Sequence, residues 1–308
     1  MNKQVEIPSV MLLGTQGLEA RAKVIASSGG LNQALASGAL PKQLNITLSE
    51  ALVLGLLKQG VSKYLAIFGH GSTDLGEVLR VYTEAGVTKV FNFRNEVEMA
   101  HAGTALAWAW KEPCAVVTSI GPGALQAMAG SLAAACNGVG LYHIYGDETT
   151  WGEGYNMQQI PKQQQQLYGQ MTALMGQSYV LHTPEALRDA LRRGTQCVNH
   201  PVKPGPFYLM LPINTQPQVI DGLNLEALPE ALQNTPTAVA DMAVLKKAAE
   251  ALRGHSRIVF KIGGGGRPFA GPLRKLAERC GAAVVASPGS TGILPDAHPQ
   301  YMHVGGSK

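Results

Sequence analysis

An imidazole flanked by two glycines, Gly69-His70-Gly71, follows a short apolar run. Open α/β sheets place ligands at strand ends, so His70 stands where it could move protons beside a bound molecule. An exposed histidine in a turn is the equally simple reading. Glu96 falls where a predicted strand gives way to a predicted helix. For an isolated glutamate, the preference of acidic residues for a helix N-terminus is explanation enough. Glu98, two residues on, points to a different helix face. Ser119-Ile120-Gly121-Pro122-Gly123 also joins a strand to a helix. Its glycines would let backbone approach a flat ligand closely, although a tight turn needs them too. Gly263-Gly264-Gly265-Gly266 follows a strand as a nucleotide-binding turn would, but lacks a full GxGxxG leading into a helix. A plain glycine-rich turn is the simpler reading there. Cys114, Cys136, Cys197 and Cys280 are widely spaced with no CxxC pair. That spacing points to reduced thiols in a reducing compartment and to no zinc.

The elements that must position these residues alternate regularly. Thr47-Leu48-Ser49-Glu50 has the form of a capping box, and Leu48, Leu52 and Leu56 continue at helical spacing. A strand is expected over 64–68, then a helix over 74–85, a strand over 89–93 and a helix over 96–110. Strands over 115–119 and 141–145 flank a helix over 124–135. The pattern weakens over 151–176. A strand near 179–181, a helix over 184–198 and a strand over 207–211 then close the unit. Strands separated by helices of this length form parallel sheets covered on both faces, with right-handed crossovers. Pro217, Pro229 and Pro236 mark a stretch read as a linker, and a second α/β run begins near Val244.

Composition narrows the function classes. The 308 residues are 45% hydrophobic and 15% charged, with 36 glycines and a thinly spread net charge of +4. This is the balance of a globular chain with a large core. No basic stripe with interleaved aromatics favours nucleic acid. No apolar run reaches the length of a membrane span, and the N-terminal apolar stretches are too broken for a signal peptide. A cytoplasmic protein with no membrane or nucleic-acid partner is expected.

Four segments, taken in order, resemble thiamine-diphosphate-dependent enzymes of the acetolactate synthase type. They are Gly60-Val61 with Ile67-Phe68-Gly69-His70-Gly71; Arg94-Asn95-Glu96-Val97-Glu98-Met99-Ala100-His101-Ala102; Thr118-Ser119-Ile120-Gly121-Pro122-Gly123-Ala124; and Gly205-Pro206-Phe207-Tyr208-Leu209-Met210-Leu211-Pro212-Ile213-Asn214-Thr215-Gln216. Pro295-Asp296-Ala297-His298-Pro299, after a glycine-bearing strand end, extends the resemblance towards the C-terminus. The motifs around His70 and Glu96 are most similar to the inositol-catabolism branch, the trihydroxycyclohexanedione hydrolases.

Residues 1–45 lack a clear strand pattern and are read as an N-terminal extension with one or two short helices, and 214–238 as the linker. The resemblance implies a doubly wound, mainly parallel α/β pyrimidine-binding (PYR) domain over 46–213 and an incomplete Rossmann-like central domain over 239–308. It implies lyase, hydrolase or transferase (carboligase) chemistry on 2-oxo acids or diketones. It assigns Glu96 to the cofactor's pyrimidine ring, where a carboxyl in a mostly apolar pocket can share a proton with a ring nitrogen. Gly69, His70, Gly71, Ser119, Gly121, Pro122 and Gly123 would line the cofactor pocket. Relatives often run Ser-Gly-Pro-Gly, so the intervening Ile120 puts Ser119 in doubt as a contact. Gln158 and Gln159 lie where relatives face cofactor or substrate. Ala100, Gly103 and Ala107 mark a small-residue face that in relatives meets a second subunit, or else serves internal packing.

Relatives hold the diphosphate through Mg²⁺ on a Gly-Asp-Gly motif and a later Asn in a third domain, and no such motif occurs here. Gly146-Asp147-Glu148 is a partial lookalike inside the pyrimidine domain and is rejected. Magnesium ligands are therefore expected on another domain or polypeptide, without which the chain should be inactive, and a dimer or higher oligomer is expected. FAD occupies the central domain of some relatives but has no motif to support it here. A non-catalytic binding or regulatory subunit, and a nucleotide-binding oxidoreductase built on the glycines at 263–266, are the competing readings.

Overall fold

The computed structural model describes residues 8–151, 159, 166–232 and 239–305. The chain divides into two compact units, Met1–Gln233 and Asn234–Lys308.

The first unit is built on a parallel six-stranded sheet. Its strands are β2 (Lys63–Ile67), β3 (Lys89–Asn92), β4 (Cys114–Thr118), β5 (Leu141–Asp147), β6 (Gln177–Val180) and β7 (Pro206–Pro212). They lie in the order β3-β2-β4-β5-β7-β6. Registers such as Leu65↔Val116, Val117↔Ile144 and Ile144↔Leu209 keep the inner strands aligned. β4, β5 and β7 are buried along their whole length. That explains why they read as continuous apolar runs rather than alternating ones.

Their side chains alternate between two cores. Tyr64, Ala66, Ala115, Val117, Tyr142, Ile144, Phe207 and Leu209 face α3 (Leu48–Lys58), α4 (Thr73–Glu84) and α8 (Leu187–Val198). Leu65, Cys114, Val116, Leu141, Tyr145, Tyr208 and Met210 face α5 (Glu96–Ala105), α6 (Pro122–Asn137) and α7 (Leu167–Met175). The chain runs from β2 outward to β3 and then returns to β4 on the other side of β2. The crevice of this doubly wound sheet therefore opens above the C-terminal ends of β2 and β4.

Three features depart from the sequence reading, namely the capping box, the linker and the length of α5, whereas the short helices expected in the N-terminal extension are present. The N-terminal extension carries α1 (Gly14–Ser27) and α2 (Leu31–Ala36), both contributing to the first core. Buried Arg21 donates from Nε and Nη2 to the two carboxylate oxygens of buried Glu50, each at 2.6 Å, and Tyr82 adds its hydroxyl at 2.9 Å. Arg21 Nη1 also reaches the carbonyls of Val10 and Leu12. The capping box is thus half formed: Thr47 Oγ1 accepts from Glu50 N at 3.3 Å, but the Glu50 side chain turns to Arg21 and Tyr82. In the stretch read as a linker, Val219–Asn224 forms β8, which pairs antiparallel with β1 (Gln43–Thr47). Its Ile220 and Leu223 pack against the first core, which three prolines nearby had masked. Finally, α5 ends at Ala105 and the chain continues in a wider π-helical turn, Leu106–Trp110, where one helix was expected.

The second unit holds α9 (Met242–Arg253), α10 (Ala270–Cys280) and a parallel sheet β11-β10-β9 made of Val259–Ile262 (β9), Ala283–Ala286 (β10) and Tyr301–Val304 (β11). Ile262, Ala277, Val284, Ala286, Leu294 and Tyr301 form its small core. No residue of α9 is buried, and Met242, Val244 and Leu245 are exposed. Among the described residues, no helix is long and apolar enough to cross a membrane.

Candidate active site at the β2–β4 crevice

Three loops meet above the crevice: the turn after β2, the start of α5 after β3, and the β4–α6 loop. Asn95 caps α5, its Oδ1 accepting from Val97 N at 2.8 Å and Glu98 N at 3.2 Å. That cap fixes Glu96 as the first helical residue, half-buried, while Glu98 is exposed. An added Cβ on Gly123 would stand 3.3 Å from Glu96 Oε1 and 3.5 Å from Thr118 Cβ. The carboxylate therefore lies directly over the first turn of α6. Gly121, at a φ of 61° that favours glycine, caps helix α6, and exposed Pro122 is its first residue. A side chain at Gly121 would press on the Tyr168 hydroxyl and on Gln159. Glu96, Gly121, Pro122 and Gly123 are brought together as one floor with a carboxylate beside it.

The turn after β2 is tightly tied to the β4 loop. Ser119 Oγ donates to the His70 carbonyl, and Ile120 N donates to the same oxygen at 3.3 Å. Ile120 packs beneath Gly71, whose φ of 87° and lack of Cβ make room for it. The extra residue in the loop thus has a packing role, and the Ser119 hydroxyl is engaged with the neighbouring turn. His70 is the one side chain this turn presents, 48% exposed, with Nε2 3.7 Å from Oε1 of Glu148, which is 4% exposed.

Sequence reasoning missed three residues here. Glu148 was seen only within a rejected lookalike. Asp147 Oδ1 in that segment accepts from Glu148 N at 3.0 Å; Asp147 is the last residue of β5 and Glu148 follows it into the crevice. Tyr168, from the weakly patterned stretch, donates to the Gln159 carbonyl. Burial, then the nearby Asp147 and Glu148 carboxylates, push its phenol upward. Gln216 reaches the turn from beyond β7. Gln216 figured only as the last residue of the fourth resembling segment, with no role, and local spacing pointed to none of these three contacts. Gln159 is exposed, and Gln158 lies outside the described residues.

Other sequence candidates lie elsewhere. Ala100 and Gly103 face inward: Gly130 of α6 abuts Ala100, and Gly103 abuts Val116 and Leu141. Ala107 packs at the edge of the second core. The glycines at 263–266 form a tight turn closed by Gly266 N donating to the Gly263 carbonyl at 2.9 Å. Gly266 is needed there because a Cβ would strike Ile262 and Leu273. All four cysteines are free thiols, Cys114 buried and Cys136 exposed. Among the described residues, no group of three or more His, Cys, Asp or Glu side chains is arranged to hold a metal ion.

Residues 46–167 match the N-terminal TPP binding domain of thiamine pyrophosphate enzymes, and residues 245–308 match the central domain of the same enzymes. This chain belongs to the thiamine pyrophosphate enzymes. Its relatives include 2-hydroxyacyl-CoA lyase 1 of Dictyostelium discoideum, 26% identical over 81% of this chain and 42% of that protein. The 3D-(3,5/4)-trihydroxycyclohexane-1,2-dione hydrolase of Bacillus licheniformis is 26% identical over 73% of this chain and 38% of its own length. Acetolactate synthase isozyme 3 large subunit of Escherichia coli is 25% identical over 82% of this chain and 43% of its own length. The chain thus spans about two fifths of the length of these relatives. The crevice fits the pyrimidine end of thiamine diphosphate. Without a Cβ at Gly123 the Glu96 carboxylate closes on bare backbone, and without one at Gly121 Tyr168 and Gln159 do the same, so a carboxylate and exposed peptide edges stand together as a pyrimidine ring requires.

Proposed function

We propose that this chain supplies the pyrimidine half of the active site of a thiamine-diphosphate-dependent lyase, hydrolase or carboligase acting on 2-oxo acids or diketones. Bound there, the cofactor supplies the carbon nucleophile for making or breaking a C–C bond. Glu96 holds a proton at a pyrimidine ring nitrogen, Gly121, Pro122 and Gly123 form the floor, and His70 faces the substrate side. The observation that carries this reading is the Glu96 carboxylate held close against the bare backbone of Gly123, at the sheet's switch point.

The magnesium and diphosphate site is assigned to a further domain or subunit, without which turnover is absent. Exposed Met242, Val244 and Leu245 on α9 support a covering polypeptide. A dimer or higher oligomer belongs to the same proposal. Leu125 and Leu132 on α6 are 43% and 51% exposed and lie seven residues apart, on one helix face. A cytoplasmic location is part of it too, supported by the four free thiols.

The test is turnover of the complex reconstituted with a polypeptide carrying the diphosphate site, assayed with pyruvate and with cyclic diketones. Glu96→Gln is expected to lower turnover by about a hundredfold or more, the scale of positioned acid–base catalysis. Unchanged turnover would instead make this a binding or regulatory subunit that shares the fold.

A further inference from the structure

Each carbonyl of the turn after β2 has a donor. The Gly69 carbonyl accepts from Ser72 N at 3.1 Å and Ser72 Oγ at 3.2 Å. The His70 carbonyl accepts from Ser119 and Ile120. The Gly71 carbonyl accepts from Gln216 Nε2 at 2.6 Å. The first two sets of donors belong to the turn itself or to the facing loop. Gln216 comes from 145 positions away in sequence.

The whole amide of Gln216 is committed. Nε2 also donates to the Leu211 carbonyl at 3.1 Å, and Oε1 accepts from Leu75 N at 3.4 Å in the first turn of α4. The side chain is fully buried, so neither end has water as an alternative. Its backbone carbonyl accepts from Ser49 N at the start of α3, at 3.2 Å. One amide therefore joins β7, α4 and the turn, and Gly146 leaves just enough room for the Gly71 carbonyl to rest on β5.

We propose that Gln216 is a positioning residue for His70. By fixing the carbonyl that follows it, Gln216 holds the imidazole at the mouth of the crevice, near Glu148. The functional importance of that placement rests on the reading of the crevice as a thiamine diphosphate site; the positioning itself does not.

The full chain, isotope-labelled at its eight histidines, allows a test by NMR, with the His70 imidazole signal assigned through His70→Gln. Gln216→Glu keeps the shape and an acceptor for Leu75 N but has no donor for the Gly71 carbonyl. Gln216→Met removes both. Each variant is expected to shift or split the His70 signal and leave the other seven histidine signals in place. An unmoved His70 signal in a folded variant overturns the proposal. Should neither variant fold, the wild-type protein decides. Gln216 side-chain amide protons with contacts to Gly71 and slow exchange support the proposal, and freely exchanging ones overturn it. Failure of Glu96→Gln to affect turnover leaves this NMR result intact, so the two ideas fall separately.

Discussion

Glu96 and Gly123 meet because one ends the β3 crossover and the other opens α6, and the missing Cβ sets their separation. Gly123→Ala would bring a methyl to 3.3 Å from the carboxylate. The expected outcome is a Kd for thiamine diphosphate raised about tenfold in the reconstituted complex, measured by calorimetry. Both residues were singled out because their motifs are local, but their closeness to each other was not legible. Nor were the contacts of Gln216, Glu148 and Tyr168, which no local pattern encodes.

His143 on β5 is a second residue with a measurable consequence. It is fully buried, with Nδ1 3.0 Å from the Tyr145 hydroxyl and Nε2 without a partner, and its ring lies 5.4 Å from that of Tyr208. Burial pushes its pKa down from 6.5 to about 3. Below pH 6.5 the unfolded chain takes up a proton that the folded chain refuses until about pH 3. Stability is therefore full above pH 6.5 and falls as the solution is acidified, by a few kcal/mol at most, at ~1.4 kcal/mol per pH unit. Urea unfolding at a series of pH values should show this slope, and His143→Phe should flatten it.

At the scale of elements, α1 and α5 matter most. The Arg21–Glu50 pair ties α1 to α3 inside the core. Arg21→Met leaves the Glu50 carboxylate buried beside Tyr82 alone, with an expected loss of about 3–5 kcal/mol by urea unfolding. The sequence showed an extension without a role because Arg21 and Glu50 are 29 positions apart and a buried charge has no local signature. Helix α5 rests on α6 through Gly130, where an added Cβ would stand 2.6 Å from the Val97 carbonyl and 2.8 Å from Ala100 Cβ. Gly130→Val should therefore cost about 1–3 kcal/mol and tilt α5, weakening cofactor binding together with stability. The small residues of α5 looked suited to close helix approach, and the approach they serve within this chain is to α6 and the sheet.

Across the whole molecule, strand–helix alternation over 64–211 made the parallel sheet legible, since inner strands buried on both faces read as unbroken apolar runs. Strand order was not legible, because nothing local says that β2 lies between β3 and β4. β8 was hidden among prolines, and its pairing with β1 joins residues about 177 apart. If the exposed face of α6 meets a second copy, Leu132→Glu should shift the protein towards monomer in sedimentation without loss of fold.

The most direct measurement is a titration of magnesium thiamine diphosphate, in large excess, into the nitrogen-15-labelled chain. Amide shifts should centre on Glu96, Ser119, Gly121 and Gly123 and should fade in Glu96→Gln. Shifts centred on the glycines at 263–266, or shifts at the crevice that ignore the loss of the Glu96 carboxylate, would contradict the account.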